Sequence, residues 1–183
     1  AFVLALLLAL VLIRTPDGWG VRRFGASLRA TAAVVSAFTI AHSLTLIAAA
    51  LGYVSLPSRL VESLIAASIA WTAIEDIVRP DVRWRFAVTF GFGLMHGLGF
   101  ARMLTPLLPR GQVVGPLLCF NVGVELAQLA IVAVALPAAW LLATALGARR
   151  YRTTALPILA GALALVGLIW LVERAFGVVV LGL

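Results

Sequence analysis

The chain holds two histidines, His42 and His96, and each lies about a dozen residues into an apolar run of helical length. A glutamate, Glu125, lies at a comparable depth in a third run. Asn121 stands one turn before it and Gln128 one turn after, so spacings of four and three residues put all three on one helical face. Two imidazoles, a carboxylate and nearby amide or hydroxyl oxygens make a borderline nitrogen and oxygen donor set, which suits nickel, zinc or copper(II) and not magnesium or calcium. Copper(I) favours sulfur, and only Cys119, Met95 and Met103 offer it. The expected metal ligands are therefore His42, His96 and Glu125. Asn121, Gln128 and Thr45 are placed to orient them, and Ser43 lies beside the same path.

Other chemistries fit the same residues. Histidine, asparagine and glutamine bond across helix interfaces in membrane bundles with no further role, and His and Glu at depth can relay protons. A serine hydrolase does not fit "AHSLTL", because adjacent helical residues face apart and His42 cannot serve Ser43. The chain has no phosphate-cradling glycine loop, no HExxH and no CxxC. A zinc-dependent intramembrane hydrolase survives, since three such ligands leave a fourth position open for water. A structural subunit of a membrane complex is the remaining alternative.

The elements that must carry these residues are membrane helices. Of the 183 residues, 63% are hydrophobic and 11% charged, with a mean hydropathy of +1.14, whereas soluble domains carry about 25% charged residues. Apolar runs near 1–13, 30–51, 60–78, 86–105, 114–136 and 154–172 predict an all-α polytopic bundle of six spans in one domain covering 1–183. The first run is too short to cross, so it reads as the end of a helix whose start lies upstream. Pro137 predicts a kink or an interfacial extension in the long run that begins at Val114. The tail "FGVVVLGL" is expected at the outer interface or packed on the bundle.

The net charge of +7 comes from fourteen arginines, most of them in the connections, and needs no nucleic-acid partner. Counted connection by connection they alternate four, one, three, two, three, one. The positive-inside rule puts the first, third and fifth connections in the cytoplasm and both ends outside. The lone Cys119 forms no internal disulfide and leaves the redox compartment open.

Gly93 and Gly97 form a small-xxx-small pair, thinned further by Gly91 and Gly99, which predicts close approach of a neighbouring backbone beside His96. "FTIAHSLTL" and "FGLMHGLGF" correspond in register on helices of the same direction, as in a parallel repeat. Glu62 is expected near the outer end of the third helix, with Glu75 and Asp76 near its inner end. Their spacing to Arg59 and Arg79 predicts interfacial ion pairs. Functionally they extend a stepping path: acid outside, histidines and glutamate in the middle, acids inside, with Glu62 attracting a cation and Glu75 receiving it.

Four motifs in order, "FTIAHSLTL", "VESLIAASIA", "FGLMHGLGFA" and "FNVGVELAQL", resemble the HupE/UreJ family of bacterial membrane proteins, and "FVLALLLAL" resembles the end of that family's first conserved helix. The resemblance implies a nickel permease or metal-handling accessory protein of the bacterial inner membrane, tied to hydrogenase or urease maturation. It places His42, Glu62, His96, Asn121 and Glu125 at the family's motif positions. It also implies further ligands in the first helix, upstream of Ala1. Expected partners are the bilayer, the metal ion, and metalloenzyme maturation machinery or further copies of the chain.

Overall fold

The computed structural model describes residues 1–80, 84–104 and 114–179. The chain is all-α apart from one small hairpin. Helix α1 (Phe2–Leu8) is followed by strands β1 (Leu12–Thr15) and β2 (Gly18–Val21), then α2 (Phe24–Ala50), α3 (Ser58–Val78), α4 (Arg85–Leu104), α5 (Val114–Arg150), a π-helical turn (Tyr151–Ala155) and α6 (Leu156–Phe176). The stretches 24–50 and 115–176 are long and apolar enough to cross a membrane by length and composition. The loop "TPLLPRGQ", residues 105–112, lies outside the described residues, as does the tail from residue 180.

Three boundaries differ from the sequence expectation. The first helix ends at Leu8 instead of running to residue 13, and the Leu12–Val21 segment pairs with itself as an antiparallel hairpin, Leu12 opposite Val21 and Thr15 opposite Gly18. The turn is Pro16–Asp17, and Gly18 leaves it at φ 129, a conformation that side chains resist. Apolar content alone had marked Val11 to Ile13 as helix. In the structure Val11 lies before the strand and Leu12–Thr15 form it, with β-branched Ile13 and Thr15 suited to extended backbone.

Second, α2 starts at Phe24, so Arg29 lies inside the helix. Third, α5 runs through Pro137 and breaks at Gly147, with φ 77 and ψ 151. The chain reverses there on one glycine, and "ARRYR" is already helical instead of forming a loop.

Neighbouring directions follow from which residues meet. Gly93 stands against Phe38 and Ala41, and Gly97 against His42 and Leu46, so α2 and α4 run parallel at the same spacing that separates the two histidines. Helix α3 runs antiparallel to α4, with Val61 and Ile65 beside Gly99 and Asp76 bound to Arg85. It is antiparallel to α6 as well, with Ala66 and Ala70 against Gly167 and Glu62 against Arg174. Helix α5 is antiparallel to α2: Gln128 meets Thr39, and Trp140 Nε1 donates to the Arg22 carbonyl at 2.8 Å. The helices that carry the two histidine motifs thus lie side by side and parallel.

The largest apolar cluster joins α1, the start of β1, α5 and α6, and includes Tyr151, whose hydroxyl donates to the Leu8 carbonyl at 2.9 Å. A second cluster of Phe2, Leu6, Val34, Phe38 and Ile69 ties α1 to α2 and α3. Large apolar side chains on the outer faces stay exposed, among them Leu126 and Val134 on α5 and Ile158 and Leu165 on α6. That is the surface a hydrocarbon solvent would cover.

Candidate functional site

Helices α2 and α4 can lie close because glycine removes the side chain where they cross. A Cβ on Gly93 would stand 2.7 Å from the Phe38 carbonyl oxygen, and one on Gly97 would run into the His42 carbonyl and Thr45 Oγ1. Gly99 plays the same part toward Ile65 of α3, whereas Gly91 faces open space and thins no contact. The Thr45 hydroxyl closes the α2–α4 seam by donating to the Leu94 carbonyl at 2.8 Å.

This seam buries both histidines, His42 1% exposed and His96 7%. The Phe38 ring lies between them, its centroid 5.9 Å from His42 and 5.0 Å from His96. Phe2 of α1 stands 4.9 Å from His96, while Phe100 of α4 and Phe120 of α5 stand 5.5 and 6.4 Å from His42. The two imidazoles therefore share one aromatic enclosure built from four helices.

Within it the nitrogens differ in what they meet. His96 Nδ1 lies 2.8 Å from the Phe92 carbonyl. A proton held there makes Nε2 the lone-pair nitrogen, the arrangement that suits metal ligation. Neither His42 nitrogen has a hydrogen-bond partner among the described residues. The buried Asn121 carboxamide lies against that ring, and its own oxygen has no partner among the described residues. Buried polar atoms are nearly always paired, and here two imidazole nitrogens and an amide oxygen stand near one another without a partner among the described residues.

The other expected residues fall elsewhere. Glu125 lies level with His42, since Asn121 and Gln128 flank it and face α2, yet it occupies the exposed side of α5. Among the described residues no group of three His, Cys, Asp or Glu comes together to hold a metal, so the expected His42, His96 and Glu125 triad is not assembled. The spacing argument placed Glu125 on the same face as Asn121 and Gln128. Around the helix Glu125 lies farther from Gln128 than Asn121 does, and the cover stops before reaching it. Gln128 lies 3.1 Å from the Thr39 hydroxyl, and Thr45 binds backbone, so neither touches an imidazole. Ser43 is half-buried on α2.

Toward one end the histidine enclosure adjoins a cavity of about 550 Å³ between α3, α4 and α6, lined by Glu62, Ile65, Gly99, Phe100, Trp170 and Arg174. Phe100 belongs to both. Glu62 does not pair with Arg59 as its spacing suggested; its carboxylate is 3.4 Å from Arg174, and Arg59 donates instead to the Ala175 carbonyl at 2.9 Å. The helix-terminal carbonyls of α6 compete for Arg59, and sequence spacing within α3 gives no view of them.

Toward the other end, polar groups step along buried faces. On α4 these are His96, Thr89 and Arg85, and on the antiparallel α3 Ser68, Thr72 and Asp76, all buried. Spacings of four, seven and eight residues keep each set on one face. Asp76 and Arg85 form a fully buried ion pair, and Arg85 Nη1 also donates to the Leu6 carbonyl at 3.0 Å. Asp76 Oδ2, Arg85 Nε and Thr89 Oγ1 have no partner among the described residues. Glu75, expected to receive a cation here, is half-buried and makes no pair with Arg79; Asp76 is the acid turned inward. Arg85 was counted with the interfacial arginines, and only its burial opposite Asp76 distinguishes it.

No curated protein and no solved structure matches the chain significantly. The family described as HupE / UreJ protein matches residues 1–174, nearly the whole length, and the chain belongs to that family.

Proposed function

We propose that the chain is a multi-pass permease, or a metal-handling accessory protein, of the bacterial inner membrane, and that its cargo is a divalent transition metal, nickel first. Family membership supports the membrane and metal-handling parts of this reading. The observation that carries the site is the buried imidazole pair, with both His42 nitrogens and the Asn121 oxygen unpartnered inside a shared aromatic wall. Neutral imidazole nitrogen and amide oxygen suit nickel or zinc better than hard cations. Glu62 draws the ion into the outer cavity, Phe100 belongs to both that cavity and the histidine enclosure, and Thr89, Thr72 and the Asp76–Arg85 pair form the inner end.

The test is nickel uptake into liposomes holding the purified chain, read by a trapped chelating dye. His42→Ala and His96→Ala are expected to lower uptake by about ten- to a hundredfold, the usual cost of disturbing a metal's ligand shell. Unchanged uptake in both variants overturns the site. Glu125→Gln decides whether α5 turns to bring its carboxylate in: a comparable loss places Glu125 in the path, and full activity leaves it outside. Tightly retained zinc with substrate turnover, and no uptake, would favour the hydrolase instead.

A further inference from the structure

The arginine-rich connections meet at one end of the bundle in a second cavity of about 500 Å³, lined by Arg14, Trp19, Val78, Arg79, Pro80 and Arg152. Three parts of the chain far apart in sequence supply its guanidinium groups: Arg14 from the hairpin, Arg79 from the end of α3, and Arg152 from the π-helical turn before α6. Their placement is built. Arg14 lies directly opposite Trp19 in the hairpin register, and the Arg152 guanidinium sits over the Trp19 ring, 4.8 Å from its centre. The hairpin is held in turn, since the Arg22 amide donates to the Val11 carbonyl at 2.7 Å and Trp140 bonds the Arg22 carbonyl.

None of the three arginines forms an ion pair among the described residues, although Asp17 lies at the hairpin turn and Glu75 one turn from Arg79. Arg14 and Arg79 are exposed and Arg152 half-buried, so the pocket opens to solvent lined by one sign of charge, which concentrates anions there. Arginine forks match the paired oxygens of a phosphate. The lining also carries apolar surface at its rim: Val78 is 65% exposed and Trp19 is half-buried. Aromatic and apolar side chains next to arginine are what the headgroup layer of a bilayer receives.

We infer that Arg14, Arg79 and Arg152 form a phosphate-binding pocket at the arginine-rich end of the bundle, taking the phosphate of an anionic lipid headgroup or free phosphate. The site stands apart from the metal path and does not depend on the chain being a permease. The apolar rim gives the lipid an anchor that free phosphate lacks, so the lipid is expected to bind more tightly.

The experiment uses the full chain in a neutral detergent, with tryptophan fluorescence and melting temperature followed during titration. The probes are short-chain phosphatidylglycerol, short-chain phosphatidylcholine and inorganic phosphate. Phosphatidylglycerol is expected to give a saturable shift, weakened about tenfold or more in Arg14→Gln/Arg152→Gln, with phosphatidylcholine giving none. A saturable shift from inorganic phosphate of equal affinity, lost in the same variant, supports the pocket and assigns it to free phosphate. Trp19→Phe preserves the ring under Arg152 and removes its signal, which confirms that the fluorescence change reports this pocket. If the double variant keeps its far-ultraviolet helical signal and binds phosphatidylglycerol as tightly as the parent, or if the parent binds neither anion, the inference is overturned.

Discussion

Asp76 and Arg85 show how burial assigns different work to residues that look alike in sequence. Glu75 and Asp76 are adjacent acids, and Arg79 and Arg85 lie close by in the sequence, but among the described residues only Asp76 and Arg85 are enclosed together. A buried ion pair with an oxygen and an N–H left unpartnered contributes little to stability compared with apolar side chains of the same volume. Removing one partner is another matter. Asp76→Asn is expected to destabilise the protein by about 3–5 kcal/mol in denaturant or thermal unfolding, because the Arg85 charge is left buried without its counter-ion. The double variant Asp76→Leu/Arg85→Leu is expected to recover most of that stability while losing nickel uptake. Recovery of both would show that the pair is only a clamp between α3 and α4.

The pairing of α2 with α4 rests on two of the four glycines at residues 91–99, Gly93 and Gly97. Gly93, Gly97 and Gly99 each face a neighbour, and Gly91 faces open space. Gly97→Ala is expected to cost about 1–3 kcal/mol, since the added methyl meets the His42 carbonyl backbone and Thr45 and α2 must shift. Gly91→Ala is expected to be neutral or to stabilise by up to about 1 kcal/mol through helix propensity. Melting temperatures in detergent read both; equal effects at the two positions would contradict the seam. The same seam sets the enclosure around His42 and His96, so the Gly97 variant is expected to impair metal binding as well.

Considered whole, the chain brings Arg14, Arg79 and Arg152 of the first, third and fifth connections to one end, while Arg59, Glu62, Arg174 and Ala175 meet at the other. The convergence agrees with the arginine alternation and supports inner and outer ends as proposed. In a Cys119→Ser background, Asp17→Cys in the hairpin turn is expected to resist a membrane-impermeant maleimide in right-side-out vesicles. Tyr53→Cys, 80% exposed between α2 and α3, is expected to react. The reverse pattern would invert the topology and exchange the two mouths of the path.

Apolar run length and breaker residues were enough to place α3, α4 and α6 and the end of α2 within a few residues, because a helix in lipid must satisfy its own backbone and shows this as an uninterrupted apolar stretch. Small-residue spacing likewise marked the α2–α4 seam, and residue type marked His42, His96 and Asn121 as chemically unusual where they stand. Periodicity reports which residues share a face but not how far a neighbour covers it. Glu125 outside the enclosure, Asp76 in place of Glu75, Arg174 as the partner of Glu62, and the hairpin that gathers three arginines were therefore all decided by contacts between segments distant in the chain. Such contacts depend on crossing angles and on competition among partners, and neither is written in the spacing of a single helix.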